Sequence, residues 1–118
     1  MYVQGFLIAV PEGNKDAYRD LAARAAEKFA EYGVIEIVEA WEDDVPEGKV
    51  TDFRMATKAE ADEKIVFSWM VWPDKQTCEA SHQKMQEDDF WNENMEMPFD
   101  GMRMIYGGFT PLFTMGRD

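Results

Sequence analysis

The chain predicts an α+β fold in which one antiparallel sheet of four strands carries two helices on a single face, in the order β-α-β-β-α-β. Three observations predict it. Four apolar, β-rich runs are separated by two stretches whose apolar residues recur at helical spacing. The first and third runs are almost wholly apolar, as central strands are. The second run carries glutamates and the fourth a proline, which places these two at the edges, because proline cannot donate to a ladder.

The elements follow in order. Residues 2–10 form the first strand, closed by the turn Pro11-Glu12-Gly13-Asn14, with Asn14 capping the helix that follows. Tyr18, Leu21, Ala22, Ala25, Phe29 and Tyr32 mark the buried side of that helix, and Gly33 ends it as a left-handed residue. Residues 34–41 are the second strand, interrupted by Glu36 and Glu39. Residues 43–63 are polar and turn-rich, with a short extended arm expected over 50–55. Residues 64–72 are the most β-like run of the chain. Pro73-Asp74 opens a second helix over 75–88, with Cys78, His82 and Met85 on one sheet-facing stripe. After an irregular segment, 89–101, residues 104–113 make the last strand, with Pro111 inside it.

This is the ferredoxin-like arrangement, a single domain over residues 1–118. Two helices cover only one face of its sheet. The other face carries either Val66, Ser68, Met70 and Trp72 or Ile65, Phe67, Trp69 and Val71, and neither set tolerates water. A homodimer, two sheets face to face in a dimeric α/β-barrel, is therefore expected.

Composition narrows the function. The net charge of −12, from 24 acidic and 12 basic residues, repels polyanions and leaves nucleic acid and anionic membranes as poor partners. The single cysteine, Cys78, allows no intrachain disulfide and fits a reducing compartment. The apolar start of the chain has no basic residue before it and no cleavage-site pattern after it, and no run reaches membrane-spanning length. The expected location is the cytoplasm.

Several blocks resemble a known bacterial family. They are residues 1–6 (MYVQGF), the turn 43–53 (DDVPEGKVTDF), residues 66–69 (VFSW) and, most specifically, residues 97–109 (MPFDGMRMIYGGF). Together they resemble the YbaA-like family of unknown function, DUF 1428, which is similar to dimeric α/β-barrel proteins. Residues 87–96 and His82 depart from its pattern. The resemblance implies the fold and the dimer and carries no catalytic residue.

Each candidate for chemistry has a plainer alternative. His82 is the only histidine, so any Ser–His or Cys–His catalysis must use it. It is a general base or axial haem ligand in the functional reading and a half-buried, hydrogen-bonded histidine in the plain one. The turn around Gly48 fails as a calcium loop, because Val45 and Arg54 stand where ligands are needed. Met95, Met97, Met102 and Met104 suit adaptable packing better than copper. No metal and no cofactor is expected. Aromatic rings on adjacent strands resemble an RNA-recognition sheet, but its basic-Gly-aromatic signature is missing. Gly107-Gly108 indicates a bulge or a close backbone approach, and Asp100 with Arg103 a local ion pair.

The expected site is a pocket between the sheet and the two long connections, walled by Phe67, Ser68, Trp69 and Tyr106 with His82 behind. It would hold a small apolar or aromatic molecule. The alternative is a cofactor-independent monooxygenase- or isomerase-like enzyme, which rests on fold analogy.

Overall fold

The computed structural model describes residues 1–92 and 96–116. Its elements are β1 (Tyr2–Pro11), α1 (Lys15–Glu31), β2 (Glu36–Trp41), α2 (Phe53–Thr57), β3 (Glu63–Trp72), α3 (Lys75–Glu87) and β4 (Ile105–Phe109), with 3-10 turns at Glu12–Asn14, Asp89–Asn92 and Gly101–Arg103. The sheet order is β2-β3-β1-β4, and every neighbouring pair is antiparallel. The apolar strands are central and the interrupted ones are edges, as the sequence predicts.

Register assigns the two faces. Gln4 lies opposite Met70, Phe6 opposite Ser68 and Ile8 opposite Val66, so these side chains share one face with Val10 and Trp72. Helices α1 and α3 cover that face, and Val10, Val66 and Trp72 are fully buried there. One core cluster joins Ile8, Val10, Tyr18 and Val66. The other joins Tyr32, Met70, Trp72 and Cys78, with the Phe29 ring edge-on to both Tyr32 and Trp72. The opposite face carries Val3, Gly5 and Leu7 of β1, Val38 of β2, and Phe67, Trp69 and Val71 of β3. Strand pairing extends it to Ile105, Gly107 and Phe109 of β4.

Five local expectations are corrected. The segment expected as an extended arm enters α2 at Phe53, because the Asp52 carboxylate accepts from the Met55 amide and caps a helix instead. Asn14 is not a side-chain cap. Its amide donates to the Pro98 carbonyl at 2.9 Å, tying the start of α1 to the segment before β4. The last strand stops at Phe109, where pairing with β1 runs out at Val3, so Pro111 lies beyond it. No bulge occurs at Gly107-Gly108, where the register runs unbroken; the close approach to the backbone is made by Tyr2 at Gly108. His82 is exposed, and the buried stripe of α3 is Cys78 and Ser81 instead. Gly33 does end α1, with φ at 105°.

Candidate functional site

The glycine pair opens a groove on the helix-covered face. Of β4, alternation turns Tyr106 and Gly108 toward that face, opposite Phe6 and Gln4. Gly108 has no side chain, and a Cβ there would run into the Tyr2 hydroxyl, so the Tyr2 ring lies over the backbone as an end wall. Between α3 and the β1–β4 edge this leaves a groove of about 470 Å³. Phe6, Phe29, Met70, Met85 and Met104 make its walls apolar. Tyr2, Gln4, Glu79, Ser81, His82 and Tyr106 bring polar groups to it.

Each polar group has a distinct setting. The Gln4 carbonyl oxygen accepts from the Trp72 indole N–H at 2.8 Å, which fixes the orientation of the amide. His82 is exposed, lines the groove and makes no hydrogen bond or ion pair with any described residue. The Cys78 thiol also borders the groove, but burial, reinforced by the charge of Glu79, pushes its pKa up and keeps it protonated. It is a packing group, not a nucleophile.

A second hollow, of about 490 Å³, lies on the open face. Phe67 stands edge-on between Phe53 of α2 (6.2 Å between ring centres) and Trp69 (5.7 Å). The Trp69 indole donates to Glu36 at 2.8 Å. The Phe109 ring lies beside Gly5 and Gly107. Helix α2 closes one end of this face, so the 43–63 connection belongs to the open side. The segment after α3 goes with the helices, where Phe99 packs edge-on to Tyr18 at 5.7 Å.

The residues expected to form one pocket are thus divided by the sheet. Trp69 and Phe67 face the open side; Tyr106 and His82 face the groove. Tyr106 borders both hollows through its place in β4, and its phenol follows the helix-covered face. Ser68 is buried beneath the helices and hydrogen-bonds to Glu39, which also accepts from the Tyr18 hydroxyl at 2.6 Å. Burial raises the Glu39 carboxyl above its ordinary value, although the side chain keeps part of its surface in water. Burial, then the Glu39 charge, raises Tyr18 as well. Among the described residues no three His, Cys, Asp or Glu side chains gather as a metal site. Of the methionine stretch, Met104 lines the groove, Met97 and Met102 are exposed, and Met95 falls outside the described residues.

Residues 1–101 match the family described as "Protein of unknown function (DUF1428)". The chain belongs to this DUF1428 family. It is 59% identical over 109 residues to "Uncharacterized protein YbaA" of Escherichia coli K12, covering 92% of this chain and 93% of that one. A protein of the same name from Shigella flexneri matches to the same extent. Among solved structures, the fold is similar to an arginine-to-serine mutant of MhuD with two manganese protoporphyrin IX molecules bound per active site. The TM-score is 0.63 at 13% identity, over 99% of this chain and 100% of that chain.

In this DUF1428 chain, the groove is framed by two polar anchors that sequence reading missed in whole or in part. Arg103 makes the expected bond to Asp100 at 3.0 Å, but its fork closes on Glu63, at 2.8 and 2.7 Å, and also reaches the Lys58 carbonyl. Arg103 holds the Glu63 carboxyl below its ordinary range against the opposing effect of burial. This pair ties the turn before β4 to the start of β3. On the other side, Asp88 accepts from the Tyr32 hydroxyl at 2.6 Å and pairs with Lys28 at 3.1 Å. These bonds hold its carboxyl down to about 2. Trp91 donates to the Tyr32 hydroxyl, which docks the turn after α3 on α1. Long-range pairs of this kind leave no spacing signal, since Glu63 and Arg103 are separated by the rest of β3, the whole of α3 and the segment after it.

Proposed function

We propose that this protein is a homodimeric binding protein for a small, flat apolar or aromatic molecule, which lies in the groove between α3 and the β1–β4 edge. The groove itself carries the reading: apolar walls, a volume within the range of small-molecule sites, and a few polar groups that would orient what the walls bury. The dimer is supported by the amount of surface left uncovered. One chain exposes 8296 Å², whereas a compact monomer of its mass exposes about 6,600 Å². The open face is apolar apart from Glu36, and closing it against a second copy would leave both grooves on the outside of the barrel. One buried, unpaired cysteine suits a cytoplasmic setting.

The enzyme reading lacks an activated nucleophile at the groove. The raised carboxyl, Glu39, sits with Tyr18 at the β2 edge, across the sheet from His82, and the groove thiol is held protonated. Native mass spectrometry of freshly purified protein tests the proposal, together with titration of tryptophan fluorescence by protoporphyrin IX, a flat macrocycle with an apolar face and two propionates, of the kind carried by the MhuD structure. Twice the 13.7 kDa chain mass, a retained or acceptable small molecule and saturable quenching weakened by Met85→Trp are expected. A 13.7 kDa species with no saturable quenching would refute it.

A further inference from the structure

We infer that Gln4 is the specificity residue of the groove, and that the ligand is a planar aromatic molecule bearing a carbonyl-type hydrogen-bond acceptor. This rests on the groove being a binding site and names what it selects.

The argument starts from Trp72. Its indole is fully buried and its N–H has one means of satisfaction, the Gln4 carbonyl oxygen at 2.8 Å. An indole can only donate, so the amide of Gln4 cannot be flipped: its oxygen is committed to Trp72 and its –NH₂ must point the other way. Gln4 is a wall residue of the groove, opposite Gly108 across the ladder and next to the end wall made by Tyr2. No described residue accepts from the Gln4 –NH₂. Two N–H donors, fixed in direction by a buried tryptophan, therefore sit in the groove wall beside Phe6, Met70 and Met104.

A polar residue placed mid-strand on the covered face of β1 is otherwise out of keeping with Phe6, Ile8 and Val10 beside it. A methionine would fill the same space without demanding a partner. The amide meets the needs of Trp72 with half of its capacity and offers the other half to the groove. Donors without acceptors select a ligand with a lone pair in the plane of its ring system, such as an aryl ketone, aldehyde or quinone, over the corresponding hydrocarbon. Leaving such donors unpaired against a hydrocarbon is what penalises the wrong ligand. Among the described residues no lysine or arginine lines the groove, so a neutral carbonyl suits the site better than a carboxylate.

The test uses two probes of matched shape, 1-naphthaldehyde and 1-methylnaphthalene, titrated against the wild-type chain, Gln4→Glu and Gln4→Leu by tryptophan fluorescence and calorimetry. Gln4→Glu keeps an oxygen for Trp72 and replaces the –NH₂ by a second acceptor; Gln4→Leu removes the donors and covers the case in which the glutamate variant folds poorly. The wild type should prefer the aldehyde. Each variant should lose about tenfold in affinity for it and less than about twofold for the hydrocarbon. Equal affinity of the wild type for both probes, or equal losses for both in the variants, overturns the role of Gln4 and leaves the groove as an unselective apolar site. If neither probe binds, the inference falls, and protoporphyrin quenching decides separately whether the groove is a site at all.

Discussion

Replacing Glu63 by glutamine should destabilise the chain strongly and remove a defined part of its acid sensitivity. Glu63 is 3% exposed, yet its carboxylate accepts from both terminal nitrogens of Arg103 and from the Glu60 amide at 2.7 Å. Hydrogen bonds to a charged group contribute about 1.5–3 kcal/mol each. Desolvation of the buried carboxylate offsets much of that sum. Glutamine keeps one acceptor and turns its –NH₂ on the guanidinium or on the Glu60 amide, so a net loss of about 2–4 kcal/mol is expected. The pH dependence has a definite sign. The folded Glu63 pKa lies below its ordinary value of 4.5, so its contribution is fully present above that value and is lost as pH falls through the folded pKa. Urea unfolding at fixed protein concentration, from pH 7 down to about pH 3, should show a constant gap between wild type and variant at the upper end and a closing gap below the ordinary glutamate value. A gap under about 1 kcal/mol, or one that does not change with pH, would refute the assignment of Glu63 and Arg103 as the clamp between β3 and β4.

Other outcomes follow from the same geometry. Phe67→Glu adds a charge to the open face, where 48% exposure lets a single chain tolerate it; light scattering should fall from twice 13.7 kDa to that mass with the circular dichroism retained, and an unchanged mass would count against the interface. Gly33→Ala forces a side chain into a φ of 105° and brings its Cβ within 2.8 Å of Thr77, so it should cost about 1–3 kcal/mol in urea unfolding. Tyr18→Phe removes the buried donor to Glu39 and should cost about 1–2 kcal/mol. Gly108→Ala drives the Tyr2 ring off the backbone; a lower melting temperature with altered tyrosine fluorescence is expected, and wild-type values for both would show that the end wall of the groove is soft.

Much of the fold was legible because strand and helix periods differ and because the interruptions fell where topology requires edges. The order of the strands was read from Glu36, Glu39 and Pro111, and it holds although Pro111 lies beyond the end of β4. The faces were not legible in the same way. Both parities of β3 are apolar, Val66, Ser68, Met70 and Trp72 on one side and Ile65, Phe67, Trp69 and Val71 on the other, so hydropathy has no means of choosing between them. The missing signal lay in β1. Gln4 is a donor and acceptor in a strand of hydrocarbons, and its even position pairs it across the ladder with Met70 and beside Trp72, the side chain whose N–H needs it.

That same parity explains why the expected site came apart. Trp69 and Tyr106 were joined because they lie on strands that belong to one sheet, but adjacency in a sheet is not adjacency on a face: the pairing of Phe6 with both Ser68 and Tyr106 puts Tyr106 and Trp69 on opposite sides. One residue of register decides it. The glycines then turn this division into two usable surfaces. Gly107 and Phe109 turn to the open side, and Gly108 admits the Tyr2 ring to the covered side, so successive residues of one edge strand shape both the proposed dimer face and the proposed groove. A bulge at that point would shift the parity of part of β4 and exchange some of the side chains presented to the two surfaces. The unbroken register from Ile105 to Phe109 is therefore as much a part of the site as His82 or Gln4.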